Sequence, residues 1–175
     1  ETLQPGGHLL SLDADPIEIV RTEARLRSIG LTEDNFTTRR CNFAGLAKAL
    51  ADQGWHDGAD VIFADLGLSS MQIDNPARGF TFKHDGPLDM RMNPERGVSA
   101  AQLLISIPEP KLALLLQENA DEFYAAVIAA KLKSTLPRTT KSLADAVKAA
   151  LPPRTSPDDA DSSIRRVFQA IRIAV

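Results

Sequence analysis

Within the first 65 residues, short apolar runs alternate with stretches of helical period, at intervals that fit only strand, helix, strand crossovers. Residues 8–12 predict a strand, Asp13-Ala14-Asp15 a turn, and Pro16 the first position of a helix. Asp15 suits the N-cap because its carboxylate accepts the unpaired N–H groups of the first turn, and Pro16 has no N–H to leave unpaired. Ile17, Val20, Ala24 and Leu26 keep near one face, and Gly30 supplies the stop. Residues 36–41 predict a second strand, followed by a helix that carries Phe43, Leu46, Ala47 and Leu50 and ends near Gly54. Val61-Ile62-Phe63-Ala64 is continuously apolar and predicts a third strand, buried on both faces as in parallel sheets. The sum is a doubly wound α/β sheet, which binds ligands beyond the carboxyl ends of its strands. Two of the three predicted strands end there in a carboxylate, Asp13 and Asp65.

From residue 66 to residue 98 neither a period of 2 nor one of 3.6 persists, and Gly, Pro, Asp and Asn are frequent. Aperiodic runs of that length inside a folded chain are usually functional. Helical periods then fill about 100–107, 109–119, 121–133, 141–151 and 163 to the end, punctuated by Pro137 and by Pro152, Pro153 and Pro157. They predict a helical subdomain appended to, or inserted in, the α/β unit.

Several chemistries are excluded by composition and motif. Cys41 is the only cysteine among 175 residues, so no internal disulfide forms, and with His8, His56 and His84 scattered there is no metal-ligand cluster. A reducing, cytoplasmic setting is expected. No apolar run approaches the roughly 18 residues that cross a bilayer, so no membrane partner is expected. There is no P-loop, dinucleotide-type G-x-G-x-x-G or G-x-S-x-G elbow. Charge is unevenly spread: residues 1–130 hold 11 Lys and Arg against 19 Asp and Glu, whereas 131–175 hold 9 against 4. The basic last quarter suits either a polyanionic partner or a solvated helical face.

Asp13, at a strand end, can accept from both hydroxyls of a bound ribose, although an Asp there can equally cap a turn. The run Asp65-Leu-Gly-Leu-Ser-Ser-Met-Gln72 belongs at the cleft mouth, with Gly67 permitting close approach of a ligand; the plainer reading is a loop capping the next element through Ser69 or Ser70. Residues 78–92 combine two Phe with paired charges and read either as a lid over a polar substrate or as a packed surface loop. In the last helix Ile164, Val167, Phe168, Ile171, Ala174 and Val175 form a core stripe, with Arg165, Arg166 and Arg172 off it.

The stretch Asp65-Leu-Gly-Leu-Ser-Ser-Met-Gln-Ile-Asp74, continued by Ala77-Arg-Gly-Phe-Thr-Phe-Lys-His-Asp-Gly-Pro-Leu-Asp-Met-Arg-Met92, closely resembles the bacterial 16S ribosomal-RNA cytosine-N4 methyltransferases, the RsmH or MraW family. The terminal Arg166-Val-Phe-Gln-Ala-Ile-Arg-Ile173 and the Asp13 turn fit as well, although Ser162-Ser163-Ile164 stands where members carry His-Pro-Ala. The resemblance implies a Rossmann-like class I methyltransferase sheet with an inserted helical subdomain, incomplete at both ends. Residues 1–98 would form the partial methyltransferase domain, 99–160 the helical insertion, and 161–175 the helix returning to the sheet. It further implies S-adenosyl-L-methionine as cofactor and ribosomal RNA of the small subunit as partner. By position, Asp13, Phe43, Asp65 and Gln72 would contact the cofactor. Cytosine's amino lone pair is delocalised into the ring, so an acceptor near the amine should favour its proton-losing form in the transition state. Asp65 or Ser69 is expected to help there, with Asp85, Asp89 and Arg91 shaping the RNA pocket. Two other readings remain at this point: a non-catalytic α/β or RNA-binding fragment lacking the cofactor loop, and, more distantly, a nicotinamide-dependent oxidoreductase.

Overall fold

A computed structural model describes residues 6–175. They form a mixed α/β chain with a small parallel sheet and many helices, divided into two compact units, one ending at Asp65 and the other running Leu66–Val175.

In the first unit, β1 (Leu9–Asp13) and β2 (Phe36–Arg40) pair in parallel, Leu9 opposite Phe36 and Asp13 opposite Arg40. The connection is helix α1 (Pro16–Ser28), which starts as predicted: the Asp15 carboxylate accepts from the backbone N–H of Ile17 at 2.9 Å and of Glu18 at 3.3 Å. Helix α1 lies over β2. The Arg27 guanidinium sits 5.1 Å from the ring centre of buried Phe36, and the Thr38 hydroxyl donates to Glu23 Oε2 at 2.8 Å. A 3-10 turn (Phe43–Gly45), capped by Asn42, leads into α2 (Leu46–Asp52).

The third predicted strand is not formed. Residues 61–64 take no strand pairing, and Phe63 is 88% exposed. An apolar run supplies burial potential, but a strand also needs a neighbouring backbone edge for its N–H and C=O groups. Among the described residues β1 and β2 pair only with each other and keep their outer edges open, and residues 61–64 add to neither edge.

The second unit is helical: α3 (Ser70–Ile73), a 3-10 turn (Pro76–Arg78), α4 (Ala100–Ser106), α5 (Glu109–Ala120), α6 (Ala125–Thr135), α7 (Thr140–Ala150) and α8 (Pro157–Ala174). Helix α5 packs on both α6 and α8, and α7 closes against α6 and α8. The core is built at helical spacing from Leu112 and Leu116, Ile128 and Leu132, Leu143 and Val147, and Ile164, Val167 and Ile171. Each such fully buried side chain contributes roughly 1.5–3 kcal/mol of transfer free energy. The predicted stripe of the last helix is buried from Ile164 to Ile171, whereas Ala174 is exposed and Val175 half-buried.

Two helix starts differ from expectation. α8 begins at Pro157, six residues before the predicted start, with the Ser156 hydroxyl accepting from the Asp159 N–H. Pro157 read as punctuation, yet at the first helical position proline is favoured. α6 begins at Ala125 rather than near Asp121, because Asp121 adopts φ 50° as the left-handed cap of α5.

Candidate functional site

The parallel pairing sets Asp13 and the end of β2 side by side. Asp13 closes β1, and its Oδ1 accepts from the Asp15 N–H at 2.8 Å, which orients the carboxylate while Oδ2 takes no hydrogen bond among the described residues. Phe43 opens the 3-10 turn three residues past β2 and is 68% exposed. The unit therefore offers, at adjoining strand ends, one open carboxylate oxygen and one uncovered aromatic ring. That pairing of an acceptor with a ring fits a nucleoside, whose ribose hydroxyls donate and whose base stacks. Asp65 is exposed at the end of this unit and is not delivered by a strand.

In the second unit, Ser69 and Gln72 engage each other. The Ser69 hydroxyl accepts from the Gln72 N–H at 3.3 Å, and Gln72 Oε1 accepts from the Ser69 N–H at 2.9 Å, a reciprocal cap that starts α3. This is the capping arrangement that the polar run also permitted, and it buries Gln72.

The 78–92 loop is a packed structure with few free edges. The buried Arg78 guanidinium donates to the carbonyls of Arg91 and Met92, both at 3.0 Å, and lies 5.3 Å from the Phe80 ring centre. The Met90 N–H returns to the Arg78 carbonyl at 3.0 Å, with Met90 held at φ 63° although buried. Left-handed backbone at a non-glycine residue costs on the order of 1–3 kcal/mol and persists only where the surroundings enforce it.

That strained turn presents Asp89 and Arg91 as a fork. Arg91 Nε donates to Asp89 Oδ1 at 2.9 Å and its Nη2 to Oδ2 at 2.7 Å, and the Arg91 backbone N–H adds a third bond to Oδ1. The side chains keep 23% and 22% of their surface exposed. Partial burial pushes the Asp89 carboxyl up, but the hydrogen bonds and charge of Arg91, aided by Arg78, outweigh it and hold the group below the ordinary carboxylate value. The hydrogen bond from Arg91 to Asp89 in turn raises the Arg91 guanidinium above its ordinary value.

Asp85 serves α7. Its Oδ1 accepts from the Lys141 N–H at 3.2 Å, and hydrogen bonds from the Thr139 side chain and then this N–H hold its carboxyl low. Around it, the buried Thr140 hydroxyl donates to the His84 carbonyl, the Thr140 N–H donates to the Gly86 carbonyl, and the Leu88 N–H donates to the Arg138 carbonyl. The loop also caps α4, whose Ala100 and Ala101 N–H groups donate to the carbonyls of Asp89 and Leu88.

Linkage sets the sign of the Asp89 effect. A carboxyl lowered on folding contributes stability that is fully present above its unfolded value, near 3.8, and is lost as pH falls through the folded value. Asp89→Asn is expected to remove that acid-side dependence from urea midpoints measured between pH 2 and 6. At neutral pH it is expected to cost about 1.5 kcal/mol for the lost charged hydrogen bonds. An unchanged acid limb would show that the pair does not respond as described.

Two residues escaped the sequence reading. Arg78 stood in the quoted motif without a role, and Glu122 was not singled out although it is fully buried. Its Oε1 accepts from the Ser163 hydroxyl at 3.2 Å and the Tyr124 N–H at 3.0 Å, and Oε2 pairs with Arg166 Nε at 3.0 Å. The available signal was a carboxylate set in the break between two Ala- and Leu-rich helices. Among the described residues no group of three or more His, Cys, Asp and Glu is arranged to hold a metal ion, and no helix is long and apolar enough to cross a membrane.

A chain with this layout has close counterparts. Residues 1–175 match the MraW methylase family throughout, and the chain belongs to that family. It is 44% identical, over 97% of its length, to a protein of Acholeplasma laidlawii named ribosomal RNA small subunit methyltransferase H 2. It is 41% identical, over 99% of its length, to ribosomal RNA small subunit methyltransferase H 1 of Lachnoclostridium phytofermentans, and 40% identical, over 100%, to the methyltransferase H of Halorhodospira halophila. The matches cover 50%, 49% and 53% of those proteins, so the chain spans about half the length of the curated relatives it matches.

Proposed function

We propose that the chain is part of an S-adenosyl-L-methionine-dependent enzyme that methylates the exocyclic N4 amine of a cytidine in small-subunit ribosomal RNA. The observation that carries this reading is the open Asp13 carboxylate at a parallel strand end, beside exposed Phe43, in a chain of the MraW methylase family. The proposed architecture is a class I methyltransferase sheet contributed by residues 1–98, a helical insertion at 99–160 and a return at 161–175. The setting proposed is the cytoplasm, where small ribosomal subunits are found.

The bound cofactor supplies an electrophilic methyl group on a sulfonium. Asp13 would hold the ribose hydroxyls through the oxygen that the Asp15 N–H leaves open, and Phe43 would lie on the adenosine side. Asp65 would add a contact to the cofactor, and Gln72, buried in its reciprocal bond with Ser69, would act through the shape of the turn it caps. The amine of cytosine needs an acceptor as it loses its proton: the Asp65 carboxylate would take that proton, or the Ser69 hydroxyl would accept a hydrogen bond from the amine before the proton passes to solvent. The exposed edges of Asp89 and Arg91, with Asp85 beside them in the loop, meet the polar groups of the nucleotide. Holding donor and acceptor in line supplies most of the rate, because the leaving group departs neutral.

The test uses the full-length protein with methyl-labelled S-adenosylmethionine and undermethylated small-subunit RNA. Label should appear as N4-methylcytidine. Asp13→Ala is expected to raise KM for the cofactor roughly 10- to 100-fold, as loss of charged hydrogen bonds implies. Absence of label transfer by the parent protein would favour a non-catalytic RNA-binding role instead.

A further inference from the structure

The second unit has a cleft that the 78–92 loop does not account for. It is an open groove of about 490 Å³, lined in part by Phe123, Tyr124, Pro152, Arg154, Asp159 and Arg166. That volume falls in the range of ligand clefts, roughly 300–1,000 Å³. Phe123 is 85% exposed, and its edge-on contact with Tyr124, 5.1 Å between ring centres, orients the ring without covering it.

The polar side of the cleft is built from within. Glu122 has no exposed side-chain surface, and both of its carboxylate oxygens accept hydrogen bonds. Burying a carboxylate to hold one arginine adds little net stability, so its better-supported use is to fix geometry. The group it fixes is Arg166, anchored through Nε, with its side chain still 39% exposed. Arg154 has no hydrogen-bond or ion-pair partner among the described residues. Asp159 accepts the Ser156 hydroxyl proton at 2.7 Å in the cap of α8.

We propose that this cleft is a single-stranded RNA subsite, in which an unpaired base stacks on Phe123 while the guanidinium groups of Arg154 and Arg166 hold the adjoining phosphate and base edge. The proposal rests on the RNA substrate put forward above and adds the place where the helical unit grips that substrate. An uncovered ring beside planar, multiply donating cations is the recognition chemistry of unstacked nucleotides. A duplex would leave the ring unused, since its bases are already stacked. Arg154 and Arg166 stand against one carboxylate of the lining, Asp159, whose Oδ2 is taken up by the Ser156 hydroxyl.

The experiment measures fluorescence anisotropy of labelled single-stranded oligocytidylate on the full-length protein, alongside methyl transfer to small-subunit RNA. Phe123→Ala is expected to weaken oligonucleotide binding about tenfold and to raise KM for RNA with little change in kcat. Phe123→Trp should retain binding, whereas Phe123→Leu should behave like alanine. Arg154→Ala should reduce the slope of log K against log salt by about one. Phe123 is so exposed that these variants should fold, which circular dichroism will verify. Oligonucleotide binding indifferent to Phe123, or restored by leucine, would overturn the subsite. A Phe123-dependent affinity for an acidic peptide in place of RNA would also overturn it. Methyl transfer that persists while binding ignores Phe123 removes the subsite and leaves the enzyme reading standing. Phe123-dependent RNA binding without methyl transfer does the reverse, and absence of both overturns both.

Discussion

Arg166→Met is expected to destabilise the second unit by about 4 kcal/mol, more than Glu122→Gln, which should cost about 2 kcal/mol. The asymmetry follows from exposure. Removing Arg166 strands a carboxylate with no exposed side-chain surface, whereas neutralising Glu122 leaves an arginine that is 39% exposed and can turn to water. Glutamine also keeps an acceptor for the Ser163 hydroxyl and the Tyr124 N–H. Urea denaturation of the two variants measures both values in one series. If Glu122→Gln proved the more costly change, the pair would not be stabilised in the way its burial implies.

Gly86→Ala is the second large effect, at about 3 kcal/mol, the upper range for forcing atoms into a packed site. A Cβ at Gly86 would run into the carbonyl of Pro76, and both groups are backbone, so no rotamer change relieves the overlap. Relief requires the loop to leave Thr140, breaking the bonds that join Gly86 to the start of α7. Gly97→Ala is the control. Gly97 sits at φ 76° with open space around it, so alanine there should cost only about 1–2 kcal/mol of backbone strain. Thermal midpoints of the two variants should differ visibly, and equal shifts would refute the steric argument.

The elements that could be read from the sequence are those whose signals are local. Asp15 and Pro16 announce α1 because capping involves only the next three residues. The apolar spacing of α5 and α7 likewise marks helices that use one face for the core. Residues 61–64 misled because an apolar run reports only burial potential, and whether it docks on an open strand edge is not written in its composition. Pro157 misled because proline both ends and begins helices, and only the Ser156 side chain bonded to Asp159 decides between them. The short α3 was hidden because four residues cannot display a period, although Ser69 and Gln72 at the capping-box spacing were legible.

The candidate site divides in the same way. Residue types and order were visible, and the Asp89–Arg91 fork follows from two charges flanking one residue. The Arg78 bonds to Arg91 and Met92 were not, because they are set by a left-handed Met90 that nothing in the local sequence demands. Asp85 shows that one carboxylate can serve a helix start across 56 positions of chain, a contact that no spacing rule contains.

The bonding of residues 78–92 has a kinetic meaning as well. Their backbone groups complete the first turns of α4 and α7, two helices on which the unit's core depends. A loop attached in that way has no cheap hinge. Opening it exposes helix ends that then have no partner, so the bonded amides of Gly86, Leu88 and Met90 should exchange with solvent only when the unit as a whole unfolds. In the function proposed above, the flexibility needed for a substrate to enter would then come from segments outside residues 78–92, with the polar face of this loop as a fixed wall.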